Sequence, residues 1–185
     1  MGTPLAKPED LATLLGRGVA DPSLLLALTR ASDAFVGAVG FPVVQVVDDE
    51  LLVEGSGGRR LELPARPVSA AKVALEDGEE VASAVPGASP VLLDSRLGIL
   101  YRQHGWPCGP VLVTYTHGYP VDQIPGDIAD VVLERAVHVA ETLGIYASQT
   151  TGPFSDTFAD GANGGVTERW SQVVARYQIG IGDRA

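Results

Sequence analysis

Chemistry in this chain would have to come from few residues. His104, His117 and His138 are its three histidines and Cys108 its one cysteine. His104 and Cys108 stand four apart, the residue types of a metal ligand pair or a thiol–imidazole couple. One His and one Cys do not fill a tetrahedral site, and Trp106, Pro107 and Gly109-Pro110 make the span irregular. Cys108 reads as a small, semi-buried hydrophobe. The enzymatic alternative is a small hydrolase or ligand-binding domain with a pocket near His104, Trp106 and Cys108. His117 precedes Gly118-Tyr119-Pro120 at a strand end and could hydrogen-bond that turn; no acid or base partner is visible beside it. His138 lies four residues after Glu134, a spacing that pairs them on one helix face. Asp48-Asp49-Glu50 reads as a solvated turn, and Glu76, Asp77, Glu79 and Glu80 as an acidic hairpin tip. Neither has the ligand spacing of a calcium loop. There is no phosphate loop, dinucleotide fingerprint or nucleophile elbow. Gly55-Ser56-Gly57-Gly58 precedes a strand and reads as a hairpin turn. The expectation is a protein with no catalytic residue, no metal and no cofactor.

The elements around these residues are legible from caps and periodicity. Pro8, Glu9 and Asp10 open a helix over 8–16, with Leu11, Leu14 and Leu15 as its apolar stripe. Asp21 and Pro22 open a second over 21–37, with Leu24, Leu28, Ala31 and Phe35 at helical spacing and Gly37 and Gly40 at its end. The period then shortens. Residues 43–47, 50–54, 59–63, 68–75, 91–93, 98–102 and 111–116 read as strands within a β-rich insert over 42–117, and Asp77-Gly78 as a hairpin turn. Pro125-Gly126 and Asp127 start the longest helix, over 127–146. Ile128, Val132, Ala136, Val139 and Leu143 make its apolar face; Asp127, Asp130, Glu134, His138 and Glu141 make a solvated acidic one. Beyond 148 the chain reads as a loop carrying Phe154 and Phe158. Thr167 then caps a short helix with Trp170, Val173, Val174 and Tyr177 aligned, ahead of Ile179.

The fold class is α+β. It comprises a small helical bundle of two N-terminal helices plus one long helix, an inserted antiparallel β region, and an extended C-terminal arm carrying a short helix. Residues 1–147 form the core and 148–185 the arm. The arm either folds back on its own core or docks on another subunit.

With 185 residues, the chain suits one domain or one with appendages. Hydrophobic residues at 45% place it among globular proteins. The net charge of −10 argues against a phosphate-gripping nucleic-acid binder. One cysteine excludes an internal disulfide framework. No apolar run suits a membrane helix, and the N-terminus lacks a signal-peptide layout.

Three groups of residues carry a family resemblance. The first is Pro8-Glu9-Asp10-Leu11-Ala12 followed by the 21–37 helix with Ala31-Ser32. The second is Leu61-Glu62-Leu63-Pro64, then Arg66-Pro67-Val68, Val73 and Asp77-Gly78. The third is Val111-Leu112-Val113-Thr114-Tyr115-Thr116-His117-Gly118-Tyr119, followed by Ile124-Pro125-Gly126-Asp127-Ile128 and the long helix. Together, over about residues 8–147, they resemble the head–tail connector, or head-completion adaptor, proteins of tailed bacteriophages. Within the third, Gly118, Tyr119, Pro125 and Asp127 are the turn that joins sheet to helix.

The resemblance implies a structural virion protein at the head–tail junction, assembled in the host bacterial cytoplasm. Its subunits would form a ring, typically of twelve, joining the portal protein to a stopper or tail-terminator around the DNA exit channel. Another neck component, a stopper or tail-terminator itself, is the alternative. The C-terminal segment would dock on the portal. Phe154, Phe158, Trp170, Val174, Tyr177 and Ile179 are the candidate anchors, from composition and place in the chain. Asp130, Glu134, Glu141, Glu79 and Glu80 are candidates to face the channel, where negative charge would let genomic DNA pass without binding.

Overall fold

The computed structural model describes residues 2–75, 80–84, 91–148 and 166–178. The chain is mixed α+β and divides into two compact units, 1–40 with 124–185, and 41–123. The two chain ends thus build one helical unit, and the β insert is a unit of its own.

In the helical unit, α1 (Pro8–Leu15) has Pro8 in its first turn with Glu9 and Asp10 at the positive end of the helix dipole. Gly16 closes it in the left-handed conformation at φ 61°. Leu11 is buried, but Leu14 is 63% exposed, so the stripe read from the sequence narrows to one side. α2 (Pro22–Val39) starts at Asp21, whose carboxylate accepts the Ser23 N–H at 2.9 Å. It runs through Gly37 and stops at Gly40, φ 86°. Leu24, Leu28, Ala31 and Phe35 are fully buried. Ser32 sits among them with its hydroxyl satisfied twice: it donates to Leu28 O at 2.8 Å and accepts the Leu5 N–H at 3.0 Å.

α3 (Gly126–Ser148) is slightly longer than the periodicity suggests, and packs on α1 and α2. Ile128, Val131, Val132, Ala136 and Ala140 form its buried face. α4 (Glu168–Tyr177) lies on α2 and α3. Its Thr167 cap accepts the Trp170 N–H at 3.1 Å.

The β unit has two antiparallel sheets. β1 (Val46–Ser56), β7 (Cys108–His117), β3 (Val68–Leu75) and β4 (Glu80–Ala84) make one, in the order β1-β7-β3-β4. β2 (Arg60–Glu62), β6 (Ile99–Arg102) and β5 (Val91–Asp94) make the other, in the order β2-β6-β5. β7 pairs on both edges. Val111, Val113, Tyr115 and His117 alternate onto its buried face, opposite Val73, Ala71 and Val68 of β3.

Two expected turns are corrected. Asp48-Asp49 does not end a strand. β1 runs through it with a bulge between Val46 and Asp49, and Asp48 takes φ 52°. An aspartate tolerates that conformation, and continuous pairing with β7 retains the hydrogen bonds a turn would give up. Gly55-Ser56-Gly57-Gly58 is not a hairpin either: the chain leaves one sheet there for the other. A side chain at Gly55 would collide with the Pro107 carbonyl oxygen. The β3–β4 hairpin forms, with Ala74 opposite Glu80, while its tip at 76–79 lies outside the described residues.

Candidate functional site

A set of long-range side-chain contacts lies where α4 meets α2 and α3. Arg169 bridges two turns of α3. Its Nη2 donates to Asp130 Oδ2 at 2.7 Å and its Nη1 to Glu134 Oε1 at 2.5 Å. The hydrogen bond to Asp130, then that to Glu134, holds the Arg169 guanidinium above its ordinary pKa. Arg176 Nη1 donates to Asp127 Oδ2 at 2.7 Å, and the Tyr177 hydroxyl to Asp127 Oδ1 at 3.0 Å. Trp170 is 5% exposed. Its ring meets Phe35 edge to face, centroids 5.4 Å apart, and the Arg135 guanidinium lies 4.8 Å from the ring centroid. An apolar anchor flanked by paired charges is the composition of an interface.

Beside this dock an open groove of 510 Å³ is lined by Leu14, Leu133, Val137, Asp130, Glu134 and Arg169.

The acidic face of α3 is therefore not simply solvated. Asp127, Asp130 and Glu134 are engaged by α4 because arginines stand opposite them, and Glu134 serves Arg169 in the place expected of His138. Glu141 is exposed. Of the two courses open to the arm, its described helix takes the first and folds back on its own unit. Trp170 is buried in its own helical unit, with Val174 and Tyr177 half-buried. Phe154, Phe158, Ile179 and Glu79 lie outside the described residues. Glu80 opens β4, and its side chain is not described.

Asp127 sits inside the first turn of α3 rather than ahead of it. Its Oδ1 accepts the Ile128 N–H at 3.0 Å while the same carboxylate holds Arg176 and Tyr177. Asp127→Ala should lower the stability of the helical unit by about 1–2 kcal/mol, from a lost charged acceptor at a helix start. Asp127→Asn, which keeps an acceptor, should recover at least half of that. Thermal unfolding followed by circular dichroism checks both; equal losses would assign the effect to the carboxylate's charge rather than to its hydrogen bonds.

At the other end of the motif, Gly118 has φ 83° and its N–H donates to Pro67 O at 2.8 Å. Tyr119 N–H donates to Val43 O, and Gln45 N–H to Tyr119 O, both at 2.8 Å. The turn ties three segments together. Pro125 O accepts from Ile128 and Ala129 N–H, each at 3.1 Å, and so starts α3.

His117 has the acid partner the sequence did not display. Its Nε2 lies 3.2 Å from Asp49 Oδ2, across 68 residues. The side chain is 1% exposed, its ring lies 4.8 Å from Tyr115, and Nδ1 is buried with no hydrogen-bond partner. The bulge at Asp48 is what places Asp49 opposite Tyr115 on this face. The Tyr115 hydroxyl is pushed up to about 12, chiefly by burial and then by the Asp49 charge. Between pH 10 and 12 an unfolded chain ionises this tyrosine while the folded one keeps it protonated. The stability it contributes is present below pH 10 and lost as pH rises through 12, about 2–3 kcal/mol in all. Denaturation across that window should show wild type losing this much more than Tyr115→Phe.

His104, Trp106 and Cys108 do not converge. His104 is exposed, and Cys108 is exposed rather than semi-buried, because it starts β7 at the sheet end. Trp106 is buried and its indole N–H donates to Leu100 O at 3.3 Å. Among the described residues no three His, Cys, Asp or Glu side chains cluster as metal ligands. No helix among them is long and apolar enough to cross a membrane. No protein-family model and no curated protein matches the chain.

Proposed function

We propose that this chain is a structural protein of the phage neck. Its copies form a ring that joins the portal to the tail or stopper and surrounds the DNA exit channel. The observation that carries the reading is the β7-to-α3 motif. A strand ending Thr114-Tyr115-x-x-Gly118-Tyr119 is followed by Ile124-Pro125-x-Asp127-Ile128 at the start of the longest helix, the pattern of the connector proteins. Each of its fixed residues has work in the fold: Tyr115 fills the β unit, Gly118 makes the turn, and Asp127 serves both α3 and α4.

The net charge supports the same reading. Each subunit adds an excess of ten acidic charges. In a ring, such charge on the lumen repels phosphate and keeps DNA from adhering. Glu141, exposed on α3, is available for that surface; Asp130 and Glu134 are already paired with Arg169.

The test is assembly. Analytical ultracentrifugation of the full chain, alone and with purified portal rings, should give a closed oligomer or a portal-bound species of defined copy number. A monomer that ignores portal rings at all concentrations overturns the proposal. A virion-neck density map with this chain around a basic lumen would overturn the charge argument alone.

A further inference from the structure

We propose that neighbouring copies of this chain meet through their β units, the outward face of β1 in one copy seating on the outward face of the β2-β6-β5 sheet in the next. The proposal rests on the ring reading above and names the contact that joins its subunits.

Each sheet buries one face and exposes much of the other. Val73, Val111 and Val113 lie on the buried side of the first sheet, and Leu61, Leu93 and Leu100 on that of the second. β1 touches β2, and β3 and β4 touch β5. Two layers that share a core turn their other faces in opposite directions. The unit therefore has two outward faces, one for each neighbour.

The two faces are complementary. β1 is an edge strand, with β7 on its one paired side. Glu50, Leu52 and Glu54 alternate onto its outward face, and Leu52 is 66% exposed between the two carboxylates. On the other sheet Arg60, Tyr101 and Leu92 stand in one row across the three strands. Leu92 is 55% exposed, Tyr101 is half-buried, and the Arg60 guanidinium lies 6.0 Å from the Tyr101 ring centroid. Arg59, beside Arg60, is exposed as well. Leu52 stands about 7 Å along β1 from each glutamate, and Tyr101 about 5 Å across the sheet from Arg60 and from Leu92. With Leu52 over Tyr101 and Leu92, a β1 glutamate comes within reach of Arg60. Among the described residues neither glutamate nor Arg59 has an ion-pair partner. Arg60 has Glu62 at 3.5 Å, an exposed pair, and its five N–H donors leave room for a second carboxylate.

Two β1 strands meeting edge to edge would set their glutamates against one another, so this strand is closed to its own kind. A cationic surface suits it, and the same unit carries one. A contact between two different faces is heterologous, and it closes into a ring when the rotation between neighbours allows.

The experiment uses two full-length variants. One carries Glu50→Arg and Glu54→Arg, the other Arg59→Glu and Arg60→Glu. All four positions are exposed, and Trp106 fluorescence checks that each chain is folded. In sedimentation beside wild type, with and without portal rings, each variant alone should associate about a hundredfold more weakly, because like charges then face one another. Mixed in equal amounts, the two should assemble again in alternation, since each meets the opposite charge on both sides. Both variants keep a net negative charge, so bulk attraction does not produce this rescue. If either reversal unfolds the chain, Glu50→Gln with Glu54→Gln takes its place, with a loss of about tenfold expected. Association equal to wild type in any of these chains alone, or no rescue on mixing, overturns the contact and leaves the ring. An Arg59→Glu, Arg60→Glu chain that assembles normally but no longer retains DNA assigns the arginines to phosphate and overturns the contact too. Wild type that stays monomeric with and without portal rings removes both readings.

Discussion

Trp170→Ala is expected to release α4 from its dock while α1, α2 and α3 remain folded. The indole is 5% exposed, edge to face with Phe35 and beneath Arg135. Truncating a buried tryptophan costs about 3–5 kcal/mol. Val173 is the other buried side chain of this ten-residue helix, and isolated helices this short are marginal in water. The ion pairs of Arg169 with Asp130 and Glu134, and of Arg176 with Asp127, join side chains that are largely solvent-exposed. Such pairs contribute about 0–1 kcal/mol each and weaken with salt. Arg169→Ala should therefore cost far less than Trp170→Ala. Hydrogen exchange over 166–178 checks this. Protection of α4 equal to wild type in the Trp170→Ala chain would show that the charges, not the indole, hold the helix.

Gly118→Ala should destabilise the β unit by about 2–5 kcal/mol, the sum of a left-handed backbone penalty and local overpacking. The residue stands at φ 83°, and a Cβ there would lie 2.7 Å from Val44 O and 2.9 Å from Val43 O. Those oxygens belong to backbone, which cannot swing aside. Moving them would disturb the Tyr119–Val43 and Gln45–Tyr119 hydrogen bonds and the Gly118–Pro67 bond together. The two tryptophans make the effect measurable by unit, since Trp106 lies in the β unit and Trp170 in the helical one. In a Trp170→Phe background, the denaturant midpoint of Trp106 fluorescence should fall sharply with Gly118→Ala. An unchanged midpoint would mean the turn relaxes freely.

Much of the framework was legible because its causes are local. Pro8, the Asp21-Pro22 pair and Thr167 start helices through hydrogen bonds and dipoles spanning three or four residues. The strand over 68–75 follows from β-branched and small residues bounded by prolines and Asp77-Gly78. The dock was less legible. The sequence displayed an aromatic stripe at 170–177 and an acidic stripe at 127–141, but not that one covers the other. That depends on α4 coming to rest against α3 so that Arg176 and Tyr177 reach Asp127, which spacing along the chain does not encode.

The same division runs through the β unit. Alternation from Val111 to His117 settles which side chains share a face, since the period of a strand is two. It does not say that Asp49 lies opposite. A regular strand would have put Asp48 at that register, and the one-residue bulge exchanged them. The sequence by itself determined where elements begin, which faces are apolar, and how much negative charge the chain carries. Only the tertiary structure decided which charges find partners, that Trp170 is buried in its own unit, and that His117 meets an acid. Those outcomes depend on burial and register between segments tens of residues apart, where a polar or charged group must find a partner or remain in water.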